Sequence, residues 1–600
     1  MKKLALVLAV VMVLSLGLTA CGGSTSSTGT ASSAPAGSSS SGSASDAAPA
    51  YNPDALQVKA LDDNTLQVTL TARTPYFLEL TAFPAYAPVQ QATVEANGEA
   101  WAVDAATYIG NGPYKIAEWV PSSHITMVKN ENYWNVDSLA GPDTLQFTLM
   151  EDDAAQLTAF QSGELDFIDA VPNDEIDALS STPEFYKEGQ IGTYYVSYNT
   201  QAAPFDDPLV RQAFTLAVDR DYICKQIGKS GQIPAGAFVS EGLSDAAEGS
   251  SFREVGGDYY DPTAGANEAN LAKAKELLAE AGYPNGEGLP TITYLYNEGT
   301  AHQQIGEALQ QMWGQLGATV TLESQEWATF LNTRKNGDYQ VARNGWLGDY
   351  NDPISFLDMW ITGGGNNDAQ YSSADYNAEF DSLIKQIKSS GDAEARMEMM
   401  HQAEDIIFDE WMLCPIYYYV DIYMAQQNLE NLSTSPLGFK FFMNASNGTD
   451  TLKVCTGPDP DTIDPALNSA VDGGTMIDHA FEGLYTVAYG TTPTPGQAES
   501  VEISEDGLTY TFHLREGLKW SDGTPLTAHD FVYSWQRAVD PATGADYAYM
   551  FECIAGYTEA INGEEYVAPA ADASSASTSE SAAESVSAST SESASTSAAA

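Results

Sequence analysis

Basic side chains are scarce in this chain, with 25 Lys and Arg against 82 Asp and Glu and a formal net charge of −57. This charge argues against nucleic-acid binding, because phosphate backbones bind clustered Lys and Arg. Histidine and cysteine are also rare, with 6 and 5 residues. No CxxC spacing, HExxH motif, GxSxG elbow or phosphate loop occurs, so we expect no metal, no cofactor and no catalytic centre. One disulfide among Cys224, Cys414, Cys455 and Cys553 is possible outside the cell.

A long apolar run occurs only at the start of the chain. Lys2 and Lys3 precede a Leu/Val/Met stretch that ends in Leu-Thr-Ala-Cys. This pattern predicts a secretory signal over 1–20 rather than a membrane span. Residues 21–50 are rich in Ser, Ala, Gly and Thr, which predicts a flexible tether with a reach of roughly 30 Å. Residues 568–600 predict a disordered low-complexity tail, and the remainder is long enough for two or more domains.

The few basic residues include two arginines in one stretch, residues 325–353. Arg334 and Arg343 precede Asp349, which follows Gly-Trp-Leu-Gly. The pattern predicts a helix over 325–332, a strand over 339–343 and a glycine-rich turn over 344–349. One fixed cation and one fixed anion would suit a short peptide with free ends, since both ends form charge-assisted hydrogen bonds. A surface salt bridge is the alternative interpretation.

Several runs resemble the oligopeptide-binding proteins of bacterial ABC importers, which belong to family 5 of the extracytoplasmic solute-binding proteins. These runs are VARNGWLGDYNDPISFLDMW at 341–360, TFLNTR at 329–334, GNGPY at 110–114 and KWSDGTP at 519–525. The similarity covers almost all of the chain outside its Ser-rich ends. Leu-Thr-Ala-Cys is similar to the lipobox of bacterial lipoproteins, in which Cys21 becomes the lipidated first residue of the mature chain.

The resemblance implies an α/β fold of the two-lobed periplasmic-binding-protein type II-like class, with mixed sheets and a ligand cleft between the lobes. Lobe one would comprise residues 51–235 and 421–567, and lobe two residues 236–420. The implied function is that of a lipid-anchored monomer that captures oligopeptides and delivers them to the permease subunits of an ABC transporter. Alternatives are the same fold with a dipeptide, signalling peptide, haem or nickel chelate as ligand, an extracellular peptidase, or a tethered adhesin.

The resemblance also implies which residues meet the two ends of the peptide. Asp349 matches the aspartate that pairs with the α-ammonium. Arg343, Arg334 and His302 match side chains that meet the carboxylate at different peptide lengths. For His302, a position at a helix N-terminus without any ligand role is the alternative.

Other matched residues would contact the middle of the peptide. Tyr547 and Val471 match contacts from the other lobe. Gly345 and Leu347 match backbone partners, although the family often has a cysteine where Leu347 stands. Trp346 is either a core residue or part of the pocket wall.

The order of the family segments is unusual. Residues 451–567 resemble the family's beginning, yet they follow residues that resemble its end. The chain is therefore predicted to be circularly permuted, unless the printed sequence joins its blocks in the wrong order. We expect the strands over 437–442 and 451–455 to be neighbours and residues 451–567 to pack with residues 51–235.

Overall fold

The computed structural model describes residues 51–247, 249–487 and 492–568. The predicted signal, the tether with Cys21 and almost all of the predicted tail lie outside the described residues. Within those ranges, no helix has the length and apolar character that a membrane crossing requires.

The strands are β1 (Val58–Asp62), β2 (Thr65–Thr69), β3 (Tyr114–Val120), β4 (His124–Lys129), β5 (Thr144–Leu149), β6 (Phe167–Ile168), β7 (Phe185–Tyr198), β8 (Ile233–Pro234), β9 (Ile292–Asn297), β10 (Val320–Gln325), β11 (Val341–Leu347), β12 (Leu413–Ala425), β13 (Ser433–Thr434), β14 (Lys440–Phe441), β15 (Thr451–Gly457), β16 (Tyr485–Thr486), β17 (Thr494–Pro495), β18 (Ala498–Ile503) and β19 (Thr509–Leu514).

The helices are α1 (Phe77–Leu80), α2 (Gln91–Asn97), α3 (Asp153–Gln161), α4 (Ile176–Leu179), α5 (Pro208–Leu216), α6 (Arg220–Tyr222), α7 (Phe252–Gly256), α8 (Asn267–Glu280), α9 (Thr300–Gly314), α10 (Trp327–Lys335), α11 (Ile354–Leu357), α12 (Ala374–Ser389), α13 (Ala393–Asp409), α14 (Val471–Ala480), α15 (Ala528–Val539) and α16 (Tyr557–Asn562).

A long mixed sheet with the strand order β10-β9-β11-β7-β12-β6-β15-β5-β4-β3 runs through the protein. Its two central strands, β7 and β12, are antiparallel and pair along most of their length. Successive residues of β7 from Gly192 to Tyr198 are all buried, which is typical of a strand covered on both faces. The two central strands therefore connect the half of the sheet that contains β9–β11 with the half that contains β3–β6 and β15.

The predicted boundary between the lobes at residues 235 and 236 does not follow this packing. Tyr194 and Phe214, which precede the boundary, share one core with Trp313 and Val341, which follow it. The physical reason is that β7 continues past residue 191 and pairs with β11 from Gly192 onward. Chain position alone could not indicate a strand that crosses from one half of the sheet to the other.

Residues 451–567 are part of the same compact unit as the residues that precede them. Strand β15 lies between β5 and β6 and is parallel to both. The hairpin β18–β19 extends the hairpin β1–β2 into a sheet with the order β1-β2-β19-β18. The expectation that 437–442 and 451–455 form neighbouring strands is wrong, because β14 is short and pairs with β13 instead.

Helix α15 packs residues 451–567 against residues 51–110. Thr527 and Asp530 form a capping box that begins the helix. Trp535, with no exposed surface, donates its indole N–H to the Tyr86 carbonyl oxygen at 2.9 Å. Its ring also lies 6.1 Å from that of Phe551. The core of residues 51–110 thus needs residues from the far end of the chain.

The four cysteines of the described part are free and buried. The disulfide that the sequence leaves possible is therefore not formed among them. Burial raises the pKa of the Cys553 thiol to about 12 and acts in the same direction on the other three. These side chains pack as small apolar groups.

We predict that Trp535→Ala destabilises the whole protein by about 3–5 kcal/mol, because it leaves a cavity and an unpaired carbonyl group. Urea unfolding followed by circular dichroism measures this. Val103→Ala, at a side chain with 63% exposure, is the control and should change stability by less than about 0.5 kcal/mol. A Trp535→Ala variant as stable as the parent would contradict a shared core.

Candidate functional site

A cavity of about 520 Å³ lies beside β11, between residues of both halves of the long sheet. All nine binding residues predicted from the sequence line it. They are His302, Arg334, Arg343, Gly345, Trp346, Leu347, Asp349, Val471 and Tyr547. Their contact with a peptide stays a prediction, but the structure brings them to one place.

The stretch 325–353 forms α10, β11 and the loop before α11. The predicted helix and strand are confirmed with shifted ends, whereas the predicted turn over 344–349 is wrong for its first four residues. These residues continue β11, because Gly345 pairs with Tyr194 and Leu347 with Gly192 of β7. Cross-strand pairing thus overrides the local preference of Asn and Gly for a turn.

One edge of β11 is open to the cavity. The strand pairs with β7 up to Leu347 but with β9 only through Val341 and Ala342. In the part of the chain that the structure describes, residues 343–347 therefore have no strand on their second side. Such an edge offers backbone N–H and C=O groups to an extended ligand. Gly345 leaves room there for the Tyr419 side chain, since a Cβ atom would lie 2.3 Å from the Tyr419 hydroxyl oxygen and would force that ring to move.

Asp349 is a carboxylate without a cationic partner. Its Oδ1 accepts a hydrogen bond from the Tyr547 hydroxyl at 2.9 Å, and its backbone N–H donates to Ser355 Oγ at 2.8 Å. Among the described residues, no Lys, Arg or His forms an ion pair with it. Burial raises the pKa of Asp349 well above its ordinary value, and the nearby Asp358 acts in the same direction. The described part of the chain therefore supplies no positive charge to Asp349.

Arg343 is the corresponding cation without an anionic partner. Its guanidinium carbon lies 5.2 Å from the ring centre of Tyr194 and 5.9 Å from that of Trp327. The Nε atom is buried without a hydrogen-bond partner, and Nη2 lies 3.5 Å from the Tyr419 hydroxyl. Aromatic faces hold the cation in position without neutralising it.

Arg334 differs from Arg343, because it already has an anionic partner. Its Nε lies 2.8 Å from Asp368 Oδ2, and both side chains are almost fully buried. Asp368 also accepts a hydrogen bond from Asn344 at 3.0 Å. The Arg334 Nη1 atom has no partner among the described residues. Arg334 can therefore contribute a hydrogen bond to a ligand, but less uncompensated charge than Arg343.

His302 lies in the first turn of α9 and shares a hydrogen bond of 3.2 Å with the Tyr194 hydroxyl through Nδ1. Burial, followed by the charge of Arg343, lowers the pKa of His302 well below its ordinary value. The imidazole is thus neutral at neutral pH. A ligand carboxylate could receive a hydrogen bond from it, but no charge.

The residues of the late segment reach the cavity from two elements. Val471 begins α14, and this helix is fixed by His479, whose Nε2 accepts the backbone N–H of Phe442 at 2.9 Å. Tyr547 packs edge-on against Phe83 at 5.1 Å. Trp346 is both core and pocket wall: it is 8% exposed, lines the cavity and donates its indole N–H to Ser355 O.

Sequence reasoning missed a group of residues that also line the cavity. They include Phe83, Glu151, Asn297, Trp327, Tyr419, Phe439 and Asp472. These positions lie on strands, helices and loops that are distant in sequence, and no motif links them. Only the folded arrangement of these elements brings them together.

A family model described as bacterial extracellular solute-binding proteins, family 5 middle, matches residues 27–368 and 492–590. The chain belongs to this family.

Several relatives of this solute-binding protein are peptide-binding proteins by name, whereas others are named deoxycholate-binding or heme-binding. The dipeptide-binding protein DppE of Bacillus subtilis is 36% identical over 64% of this chain and 69% of its own. The oligopeptide-binding protein OppA of the same organism is 35% identical over 65% and 71%. The crystal structure of Haemophilus influenzae OppA with the peptide RPPGFSPFR has a TM-score of 0.57 at 28% identity, with 62% of this chain and 71% of that chain covered.

A further solved structure, the murein tripeptide binding protein MppA of Escherichia coli, has a TM-score of 0.57 at 30% identity, over 64% of this chain and 72% of that chain. These likenesses confirm the predicted family and the predicted α/β fold class with mixed sheets. The relatives are solute-binding proteins rather than enzymes.

We predict that Asp349→Asn stabilises the ligand-free protein at pH 7 by ~1 kcal/mol. A carboxyl whose pKa is raised on folding contributes stability below its ordinary pKa and loses it as the pH rises. Removing the charge therefore helps at neutral pH, and the gain should vanish near pH 4. Thermal unfolding of the empty protein at several pH values measures this.

The control for this variant is Asp450→Asn, at an exposed residue. It should leave the unfolding temperature unchanged at every pH. An Asp349→Asn variant that is less stable than the parent at pH 7 would show that the Asp349 charge is compensated in the empty protein.

Proposed function

We propose that this solute-binding protein captures oligopeptides with free termini outside the cytoplasm and delivers them to an ABC transporter. Lipidation of Cys21 would anchor it to the membrane, and the tether over 21–50 would let the binding domain reach the permease subunits. We infer a monomer that acts without a cofactor and without catalysis.

One observation carries the peptide assignment: the open edge of β11 lies between a cation and an anion that lack partners in the described chain. Arg343 is the first residue of the open edge, and Asp349 follows its last residue, Leu347. An extended peptide can add to the edge as a further strand, with its α-ammonium at Asp349 and its carboxylate at Arg343. Both charges would then be compensated by the ligand.

The distance between the two groups favours peptides over single amino acids. Asp349 is six positions after Arg343 in the chain, so the two residues are at most about 20 Å apart at 3.3 Å per residue. An extended ligand of up to five or six residues covers this span at the same rise per residue, and the Arg343 side chain shortens it. A dipeptide is the alternative at the short end of the range.

The charges of Asp349 and Arg343 also make haem and a nickel chelate less suitable ligands than a peptide. Haem has two carboxylates, and a second carboxylate next to Asp349 would be repelled. A nickel chelate would need no ammonium partner. The half-buried Asp349 carboxylate, which has only neutral hydrogen-bond donors, thus supports a ligand with one positive and one negative end.

We propose two lobes with a revised boundary. Lobe two would contain the second core, which is formed by residues from 194–227, 274–341 and 414–417. Lobe one would contain the remaining described residues, including 451–567 in permuted order. Hinge closure along β7 and β12 would enclose the peptide.

We predict that N-acetylated peptides bind much more weakly than the same peptides with a free α-ammonium. Asp349→Ala should weaken the binding of free peptides by about 3–5 kcal/mol, because it leaves a buried ammonium without a partner. Isothermal titration calorimetry with tri- to pentapeptides measures both effects. Equal affinity for acetylated and free peptides would remove Asp349 from the ammonium site.

A second prediction concerns peptide length. If Arg343 and Arg334 meet the carboxylate at different lengths, Arg343→Ala and Arg334→Ala should each shift the preferred length within the range of two to five residues. Arg343→Ala should have the larger effect, since its charge has no partner in the empty site. Lys273→Ala, at an exposed residue on α8, is the control. Length profiles that coincide for both variants and the parent would rule out this role.

A further inference from the structure

The end of the cavity next to Arg343 and His302 has a rim of acidic side chains that the proposed function does not use. Glu151 follows β5, Glu298 follows β9 and Glu326 follows β10. Glu151 and Glu298 line the cavity directly. The three carboxylates therefore converge from three strand ends that belong to both halves of the long sheet.

No basic side chain compensates this rim. Within the described residues, none of the three glutamates forms an ion pair with Lys, Arg or His. Burial, then the charges of Glu298 and Glu326, raises the pKa of Glu151 to about 7. Glu326 is occupied as the N-cap of α10, where it accepts the backbone N–H groups of Ala328 and Thr329. Glu151 and Glu298 remain available to a ligand.

A second and independent feature at the same place is an unpartnered amide. Asn297 is only 8% exposed and lines the cavity, and its Oδ1 has no hydrogen-bond partner among the described residues. Its amide nitrogen donates to the Glu298 carbonyl oxygen at 3.1 Å, so the oxygen is the free end. Buried acceptors in native proteins almost always have a donor, and where the chain supplies none the donor is a ligand or an ordered water. Glu151 Oε1 is likewise buried without a partner.

The carboxylates of Glu151 and Glu298 and the amide oxygen of Asn297 would all be satisfied by a hydrogen-bond donor that carries a positive charge. A peptide with an apolar last residue would bring its carboxylate to Arg343 and leave Glu151, Glu298 and Asn297 without a partner. An ammonium or guanidinium group would supply several N–H donors and compensate the carboxylates. A metal ion is not favoured, because no group of metal-ligating side chains of sufficient size occurs in the described part.

We propose that Glu151, Asn297 and Glu298 form a subsite for a basic side chain, lysine or arginine, at the carboxyl-terminal end of the bound peptide. This inference rests on the proposed function, because it uses Arg343 as the partner of the peptide carboxylate. It adds a side-chain preference to a site that otherwise binds the peptide through its backbone and its two ends.

The test is a set of free-ended peptides of three, four and five residues, all alanine except for the last residue. That residue is lysine or norleucine, which has a similar chain length but no charge. At low salt, calorimetry should give about tenfold tighter binding for the lysine peptide. The same exchange at the first residue should give a smaller ratio, because the acidic rim lies at the other end.

Two variants connect the preference to these residues. In Glu151→Gln/Glu298→Gln, the ratio between the lysine and norleucine peptides should fall to about one. The single variant Glu298→Gln changes an exposed side chain that folding does not require. In this variant, the affinity ratio between the lysine and norleucine peptides should fall by about threefold. Glu280→Gln, at an exposed glutamate on α8, is the matched control and should keep the parent ratio.

The possible outcomes are distinct. If the parent binds lysine and norleucine peptides equally, or if the glutamine variants keep the parent ratio, this inference is overturned while the proposed function stands. If no free-ended peptide binds at any length, both are overturned. Because Glu298→Gln changes only an exposed residue, the result does not depend on whether the double variant folds.

Discussion

Two half-buried charges of opposite sign lack ion-pair partners in the described chain, and both of them line the cavity of this protein. Several interior charges are paired within the chain: Arg253 lies 2.8 Å from Glu404, and Arg396 lies 2.7 Å from Asp352. Asp349 and Arg343 have no such partner and face one cavity. Burying a charge without compensation is costly, so the empty protein is less stable than its core would allow. The ligand is the group that can remove this cost, which couples binding to stability.

The rest of the fold keeps these two charges apart and the strand between them accessible. Strand β11 is held on one side by β7 and separates from β9 after Ala342. A residue larger than glycine at position 345 would collide with Tyr419. The same tyrosine, with Tyr194 and Trp327, surrounds the Arg343 guanidinium. Positioning by aromatic rings rather than by a carboxylate leaves the cation free for the ligand.

The sequence was informative where the chemistry is local. The rarity of basic residues made Arg343 and Asp349 conspicuous, and the family motifs added Val471 and Tyr547. The sequence was misleading where strand pairing determines the backbone conformation. Asn344 and Gly345 are typical of turns, yet pairing with β7 holds them in a strand. The ion pair of Arg334 with Asp368 was not predictable, because it depends on how a loop folds back over α10. Glu151 and Asn297 were missed for the same reason, since strand order alone brings them together.

The predicted circular permutation is physically reasonable because the connection between the two family segments is short and well bonded. Gly141 N–H donates to Met443 O at 3.0 Å, and Thr144 N–H donates to Asp450 O at 3.0 Å. Both ends of residues 443–450 are thus held by the chain that enters β5. Between them, Asn447 Oδ1 accepts the Thr449 N–H at 2.9 Å, as in an Asx turn. The order of segments along the chain therefore costs little, whereas the position of β15 between β5 and β6 is fixed by the sheet. What binding requires is this spatial arrangement, since it is the sheet that brings Tyr547 within hydrogen-bond distance of Asp349.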